Sequence, residues 1–128
     1  MVGNLLDTHV FLWYLSGDES ISNTARKTIE KSPENNFISI ASLWEVAIKI
    51  SLGKLVLHRS FSELEELLTT NGFHVLPIEF ADTLLVTQLP FHHRDPFDRI
   101  IIAQSINNKL KLISKDGHFA HYNVKTIW

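Results

Sequence analysis

Asp7, Glu45, Asp98 and Asp116 are the residues whose types and places could do chemistry together. Asp7 closes the apolar stretch "GNLLD", and Asp116 follows the apolar stretch "LKLIS". Glu45 and Asp98 lie near the starts of "ASLWEVAIKISLGKL" and "DPFDRIIIAQSINNK". If these elements stand side by side, the carboxylates converge on one edge. Carboxylates packed together repel, so such a cluster needs a bound positive charge. Oxygen donors in a chain without cysteine select a hard ion, Mg²⁺ or Mn²⁺. That ion's chemistry is water activation and the clamping of phosphate oxygens, as in phosphodiester cleavage.

Each carboxylate also has a plainer reading. Asp7 can cap a helix that begins at Thr8. Glu45 completes a capping box with Ser42 and forms an i,i+4 pair with Lys49. Its neighbours Leu43, Trp44, Val46, Ala47, Ile48 and Ile50 nevertheless press it toward a partly buried place, where a carboxylate needs a partner. Asp95 fits N-cap, Pro96 fits N1 and Asp98 fits N3. The helix start accounts fully for Asp95. It accounts weakly for Asp98, since an acid at N3 gains on the order of 0.3–1 kcal/mol. Asp116 can form a turn with Gly117. The histidines carry less: His92, His93, His118 and His121 show no HxxxH or HExxH spacing, which argues against zinc.

The elements that must position these groups alternate. "GNLLD", "FISI", "FHVLPI", "LKLIS" and "VKTIW" read as strands. "THVFLWYLSG", "SNTARKTIEKS", "ASLWEVAIKISLGKL", "SFSELEELLTTNG", "EFADTLLVTQL" and "DPFDRIIIAQSINNK" read as helices. Near-continuous apolar strands between helices predict a parallel sheet covered on both faces. Ligands of such sheets bind at the carboxyl ends of the strands, where Asp7 and Asp116 fall. At 128 residues and 45% hydrophobic side chains, residues 1–128 read as a single domain. No apolar stretch reaches the ~20 residues of a membrane span. The first residues carry no basic n-region, so a signal peptide is not expected and the cytoplasm is. A net charge of −2 argues against a nucleic-acid partner at first sight. With Asp7, Glu45, Asp95, Asp98 and Asp116 set aside as site residues, the balance becomes +3. A mildly basic rim around an acidic, cation-filled hole suits a polyanion; a mixed solvated surface is the plainer alternative.

The chain resembles the PIN-domain family, and within it the VapC-type toxins of bacterial toxin–antitoxin pairs. The resemblance rests on "LLDTHVFLW", "SIASLWEVAIKISLGKL", "LPFHHRDPFDRIIIAQS" and "LISKDGHFAHYNVKTIW", and covers nearly the whole length. It implies a three-layer α/β/α sandwich around a mostly parallel sheet of four or five strands. It also implies that Asp7, Glu45, Asp98 and Asp116 hold Mg²⁺ or Mn²⁺ for RNA cleavage to 5′-phosphate and 3′-hydroxyl ends. A homodimer and a small inhibitory antitoxin are the implied partners. Where many members carry a further acid three residues beyond Asp116, this chain has Phe119. On this reading Thr8, Ser114 and Asp95 support the site. Arg94, Arg99 and Lys115, with His92 and His93, would hold the RNA backbone. Competing readings are a phosphotransfer domain with Asp7 as nucleophile, a DNA-cleaving nuclease, and a non-catalytic binding module. The phosphotransfer reading lacks the second Asp of a dehalogenase-type motif in "DTH".

Overall fold

Every apolar run expected as a strand becomes one. The computed structural model describes residues 3–128. Its strands are β1 (Asn4–Leu6), β2 (Asn36–Ser39), β3 (His74–Leu76), β4 (Lys111–Ile113) and β5 (Thr126–Ile127). They form one sheet in the order β3-β2-β1-β4-β5, each pair parallel. The connections carry helices α1 (Thr8–Ser16), α2 (Asn23–Lys31), α3 (Ile40–Ser51), α4 (Glu63–Thr70), α5 (Phe80–Val86) and α6 (Pro96–Asn108).

The layers follow from strand alternation, which sends successive side chains to opposite faces. Leu5 and Leu112 pack with Ile101 and Ile102 of α6 and with Leu85 and Val86 of α5. Leu6, Ile38 and Ile113 face the other way, onto Val10 and Phe11 of α1, Ala25 and Ile29 of α2, and Leu68 of α4. The result is the expected three-layer α/β/α sandwich. Helix α3 touches both α1 and α6, one from each layer, and so brings Glu45 between them.

Close packing at the amino end of the sheet explains one glycine and two asparagines. A Cβ on Gly3 would stand 2.8 Å from the Asn35 carbonyl oxygen, so the approach of these segments requires glycine. Asn36 donates through Nδ2 to the Ile29 carbonyl at 2.8 Å, and Asn4 Nδ2 donates to Asn36 Oδ1 at 3.1 Å, tying α2 to β1 and β2.

Some boundaries differ from expectation. Helix α3 starts at Ile40, and Ser39 caps it by accepting the Ala41 N–H at 3.0 Å. Ser42 is therefore inside the helix, and the Ser42–Glu45 capping box does not form. Two short 3₁₀ helices, Pro33–Asn35 and Gly117–His121, have no counterpart in the sequence pattern. Among the described residues no helix is long and apolar enough to cross a membrane.

Candidate active site

Strand register sets the first contact. Leu6 of β1 pairs with Ile113 of β4, so Asp7 and Ser114 leave the sheet side by side. Ser114 Oγ donates to Asp7 Oδ2 at 2.8 Å. Asp7 occupies the cap position of α1 and its carbonyl accepts the Phe11 N–H, but its carboxylate makes no cap bond. The side chain is free to face the cleft. Burial pushes the Asp7 carboxyl above its ordinary value, against the lowering influence of Ser114 and His9.

Glu45 is 8% exposed and meets two partners. Thr8 Oγ1 donates to its Oε1 at 2.9 Å and stands 2.8 Å from Ser42 Oγ. One hydroxyl has one proton, so Ser42 donating to Thr8 and Thr8 donating to Glu45 satisfies all three groups. Lys49 Nζ lies 3.0 Å from Glu45 Oε2, the expected i,i+4 pair. Glu45 thus has both the structural partner and a place in the cleft.

The start of α6 divides its two acids. Asp95 Oδ1 accepts the N–H of Phe97 at 2.8 Å and of Asp98 at 3.4 Å, with Pro96 in the first turn. The Asp98 carboxyl is pushed up to about 7. Burial is the first cause, followed by the charges of Asp95, Asp7, Glu45 and Asp116. None of these influences is a hydrogen bond, so Asp98 bears the repulsion of the whole group.

Asp116 is held by both oxygens. Oδ1 accepts the His118 N–H at 2.9 Å, and Oδ2 lies 2.8 Å from His93 Nε2. Although burial raises the Asp116 carboxyl, the His93 and His118 hydrogen bonds outweigh it and hold it below its ordinary value. His93 is buried, stacked on Phe119 with ring centroids 4.5 Å apart. This corrects the expectation that His93 reaches RNA: its ring is enclosed and its Nε2 engaged.

Arg99 requires the same correction. It is 6% exposed. Nη1 donates to the carbonyls of Pro90 and His93 at 3.0 and 3.3 Å, and Nη2 to those of Val86 and Leu89 at 2.9 and 3.3 Å. The exposed Phe91 ring covers the guanidinium at 4.2 Å. A guanidinium with its donors turned inward onto four carbonyls is not available to a phosphate. It closes the carboxyl end of α5 and the loop that leads to α6.

Asp7, Glu45, Asp95, Asp98 and Asp116 line one open cleft of about 460 Å³, together with Lys49, Lys115, His9, Val10 and Trp13. Lys115 is exposed on its rim. Arg94 lines a separate hollow with Phe91, and His92 lies against His121 and Tyr122, with ring centroids at 5.2 and 5.0 Å. Sequence reasoning missed His9, Trp13 and the cleft position of Lys49. The i,i+4 spacing of His9 and Trp13 on α1 was the available signal, and their rings stand 6.0 Å apart. No three His, Cys, Asp or Glu side chains among the described residues are drawn together as a ready-made ion cage. Spread carboxylates around an open cleft still fit Mg²⁺ or Mn²⁺: Mg²⁺ keeps much of its water and takes one or two carboxylates directly. The all-oxygen acidic donors and the raised Asp98 carboxyl match a hard cation.

These features define an α/β/α domain with an acidic cleft at the carboxyl edge of a parallel sheet. The PIN domain family model matches residues 5–125, and the chain belongs to that family. No curated protein matches the sequence. Several solved structures share the fold at low identity. DNA-bound VapBC from Salmonella typhimurium is 15% identical, with a TM-score of 0.73 over 98% of this chain and 97% of that one. VapBC2 from Rickettsia felis, bound to a promoter DNA fragment, is 16% identical, with a TM-score of 0.68 over 98% and 97%. FitAcB from Neisseria gonorrhoeae is 20% identical, with a TM-score of 0.67 over 98% and 96%.

Proposed function

We propose that this PIN-domain chain is a divalent-cation-dependent endoribonuclease and the toxin of a toxin–antitoxin pair. The observation that carries this reading is the convergence of Asp7, Glu45, Asp98 and Asp116, from four separate segments, on one cleft. These four residues would hold Mg²⁺ or Mn²⁺. When bound, the ion supplies Lewis acidity toward water and a phosphate oxygen, for cleavage to 5′-phosphate and 3′-hydroxyl ends. The chain's own groups do the rest. Thr8 and Ser114 orient Glu45 and Asp7, Asp95 caps α6 and so fixes Asp98, and Lys115 attracts the RNA backbone from the rim. Arg94 extends that basic surface beyond the cleft.

The similar structures include assemblies described as VapBC and as a toxin–antitoxin complex, which supports a small antitoxin as partner. A homodimer is part of the same proposal, supported by the exposed Trp44 and Ile40 on α3. The deciding experiment incubates purified protein with RNA and DNA oligonucleotides of one sequence, with Mn²⁺, Mg²⁺ or chelator. RNA cleavage that needs the ion and leaves 5′-phosphates is the expected result. Equal cleavage of DNA would indicate a general nuclease, and a phospho-Asp7 trapped in a parallel incubation with a small acyl-phosphate donor, which leaves as its carboxylate, a phosphotransfer domain. No cleavage together with no Mn²⁺ uptake by calorimetry would indicate a binding module.

A further inference from the structure

We infer that His93 is a positioning residue: its Nε2–H fixes the Asp116 carboxylate in the cleft, and Tyr122 fixes the tautomer that lets it do so. The inference rests on the reading of the cleft as a cation site. For a neutral imidazole, one proton order gives each of these contacts a donor. The backbone N–H of His93 donates to the Tyr122 hydroxyl oxygen at 2.9 Å. That hydroxyl then has its own proton to give, and His93 Nδ1 lies 3.3 Å from it. An imidazole whose Nδ1 accepts carries its proton on Nε2. Nε2 stands 2.8 Å from Asp116 Oδ2, so the N–H points at the carboxylate. The opposite tautomer would set a nitrogen lone pair against a carboxylate oxygen at that distance.

The ring has little freedom to do otherwise. Phe119 stacks on it with an interplanar angle of 14°, and Arg99 Nη1 holds the His93 carbonyl at 3.3 Å. Asp116 itself caps the short 3₁₀ helix after β4, where the His118 N–H holds Oδ1 and His93 is the partner that holds Oδ2. A buried histidine that orients an acidic ligand is outer-shell support. Loss of such partners typically weakens metal affinity about 10–100-fold.

The test uses the full chain with His93→Leu, His93→Gln and Tyr122→Phe. Mn²⁺ affinity is read by calorimetry and the His93 tautomer by ¹⁵N NMR in cation-free buffer. The expected wild-type tautomer is Nε2–H. His93→Leu should weaken Mn²⁺ binding about 10–100-fold. His93→Gln, whose amide N–H can reach the same oxygen, should recover most of it. Tyr122→Phe should leave a mixture of tautomers and a smaller loss of affinity. If His93→Leu fails to fold, Tyr122→Phe and the wild-type tautomer decide. Wild-type Mn²⁺ affinity in His93→Leu, or an Nδ1–H tautomer in the wild type, overturns the inference alone. A wild type that binds no Mn²⁺ overturns the cation-site reading and this inference with it.

Discussion

Asp95 holds the backbone of Asp98 while the two carboxylates face different tasks. Asp95 Oδ1 accepts the Asp98 N–H at 3.4 Å, while the Asp98 carboxyl is raised first by burial, then by the Asp95 charge, and then by Asp7, Glu45 and Asp116 across the cleft. One acid makes a helix start, and the helix start places the other. Removing the charge at Asp98 therefore relieves repulsion at the expense of a donor oxygen. Asp98→Asn is expected to abolish RNA cleavage and to leave thermal stability in metal-free buffer unchanged or raised. Calorimetric melting beside a cleavage assay checks both. Full activity would remove Asp98 from the site, and a loss of several kcal/mol would make it structural.

Asp95 tests the other half of the division. Serine can accept the same backbone hydrogen bonds and is as good a cap, whereas alanine at such a position costs about 0.5–2 kcal/mol. Asp95→Ser should keep most of the activity and nearly all the stability. If it is as inactive as Asp98→Asn at saturating Mn²⁺, Asp95 belongs among the cation ligands.

The pH dependence of the metal-free protein follows from the same acids. Asp98 is raised from an ordinary 3.8 to about 7, and Asp7 is raised too. Between about 4 and 7 the unfolded chain releases protons that the folded chain still holds, so stability falls as pH rises through that window. Above it the loss is complete and constant. Asp116, held low, acts in the opposite sense as pH drops below the ordinary carboxyl range. Denaturation midpoints with chelator should decline from pH 4.5 to pH 7.5. Mg²⁺, or Asp98→Asn, should flatten the decline. A flat chelator profile would contradict the burial and crowding of these carboxylates.

Much of this arrangement was legible because local signals and periodicity agree. Asp95-Pro96 marks the start of α6, and the apolar runs ending at Leu6 and Ile113 place Asp7 and Ser114 at one edge. The misread places lack such a signal. Ser39 and Ser42 both look like caps, and only the length of β2 decides for Ser39. His92 and His93 are neighbours in an irregular segment, so no period tells which ring turns inward. Arg94 and Arg99 look equally basic in sequence. The burial of Arg99 depends on carbonyls of Val86, Leu89, Pro90 and His93, whose exposure no residue type announces.

That difference between the arginines is measurable. Arg99→Met takes a donor from four carbonyls, of which that of Val86 keeps the Leu89 N–H at 3.4 Å, and a buried group left unpaired costs about 1–3 kcal/mol. With partial rescue by water, a destabilisation of about 3 kcal/mol is expected by urea denaturation. Arg94→Ala should stay within about 0.5 kcal/mol of the parent, as surface changes do. In an Asp98→Asn background, which keeps RNA intact, Lys115→Ala should lower the salt dependence of RNA binding by about 0.7 in slope for one lost phosphate contact. An Arg99→Met protein as stable as the parent would show that the clasp is dispensable.

The proposed homodimer turns on α3. A helix buried on one side only should carry one apolar stripe. Here Val46 is buried inside the domain while Trp44, two residues earlier, is 61% exposed. Trp44 meets Phe97 edge-on at 5.4 Å, and Ile40, Phe61 and Val75 border the same groove beside α4. Helix α4 therefore lies near this face without covering it. Contiguous exposed apolar side chains of this kind mark interaction surfaces. A homodimer that buries Trp44 would also bring two acidic clefts near each other, since Glu45 is the next residue on the helix. Sedimentation at micromolar concentration, without antitoxin, should give a dimer, and Trp44→Lys should shift it to monomer while Mn²⁺ affinity stays within about threefold, a change worth less than the 1.4 kcal/mol of a tenfold effect. A monomeric wild type, or a Trp44→Lys protein that still dimerises with parental affinity, would place the interface elsewhere.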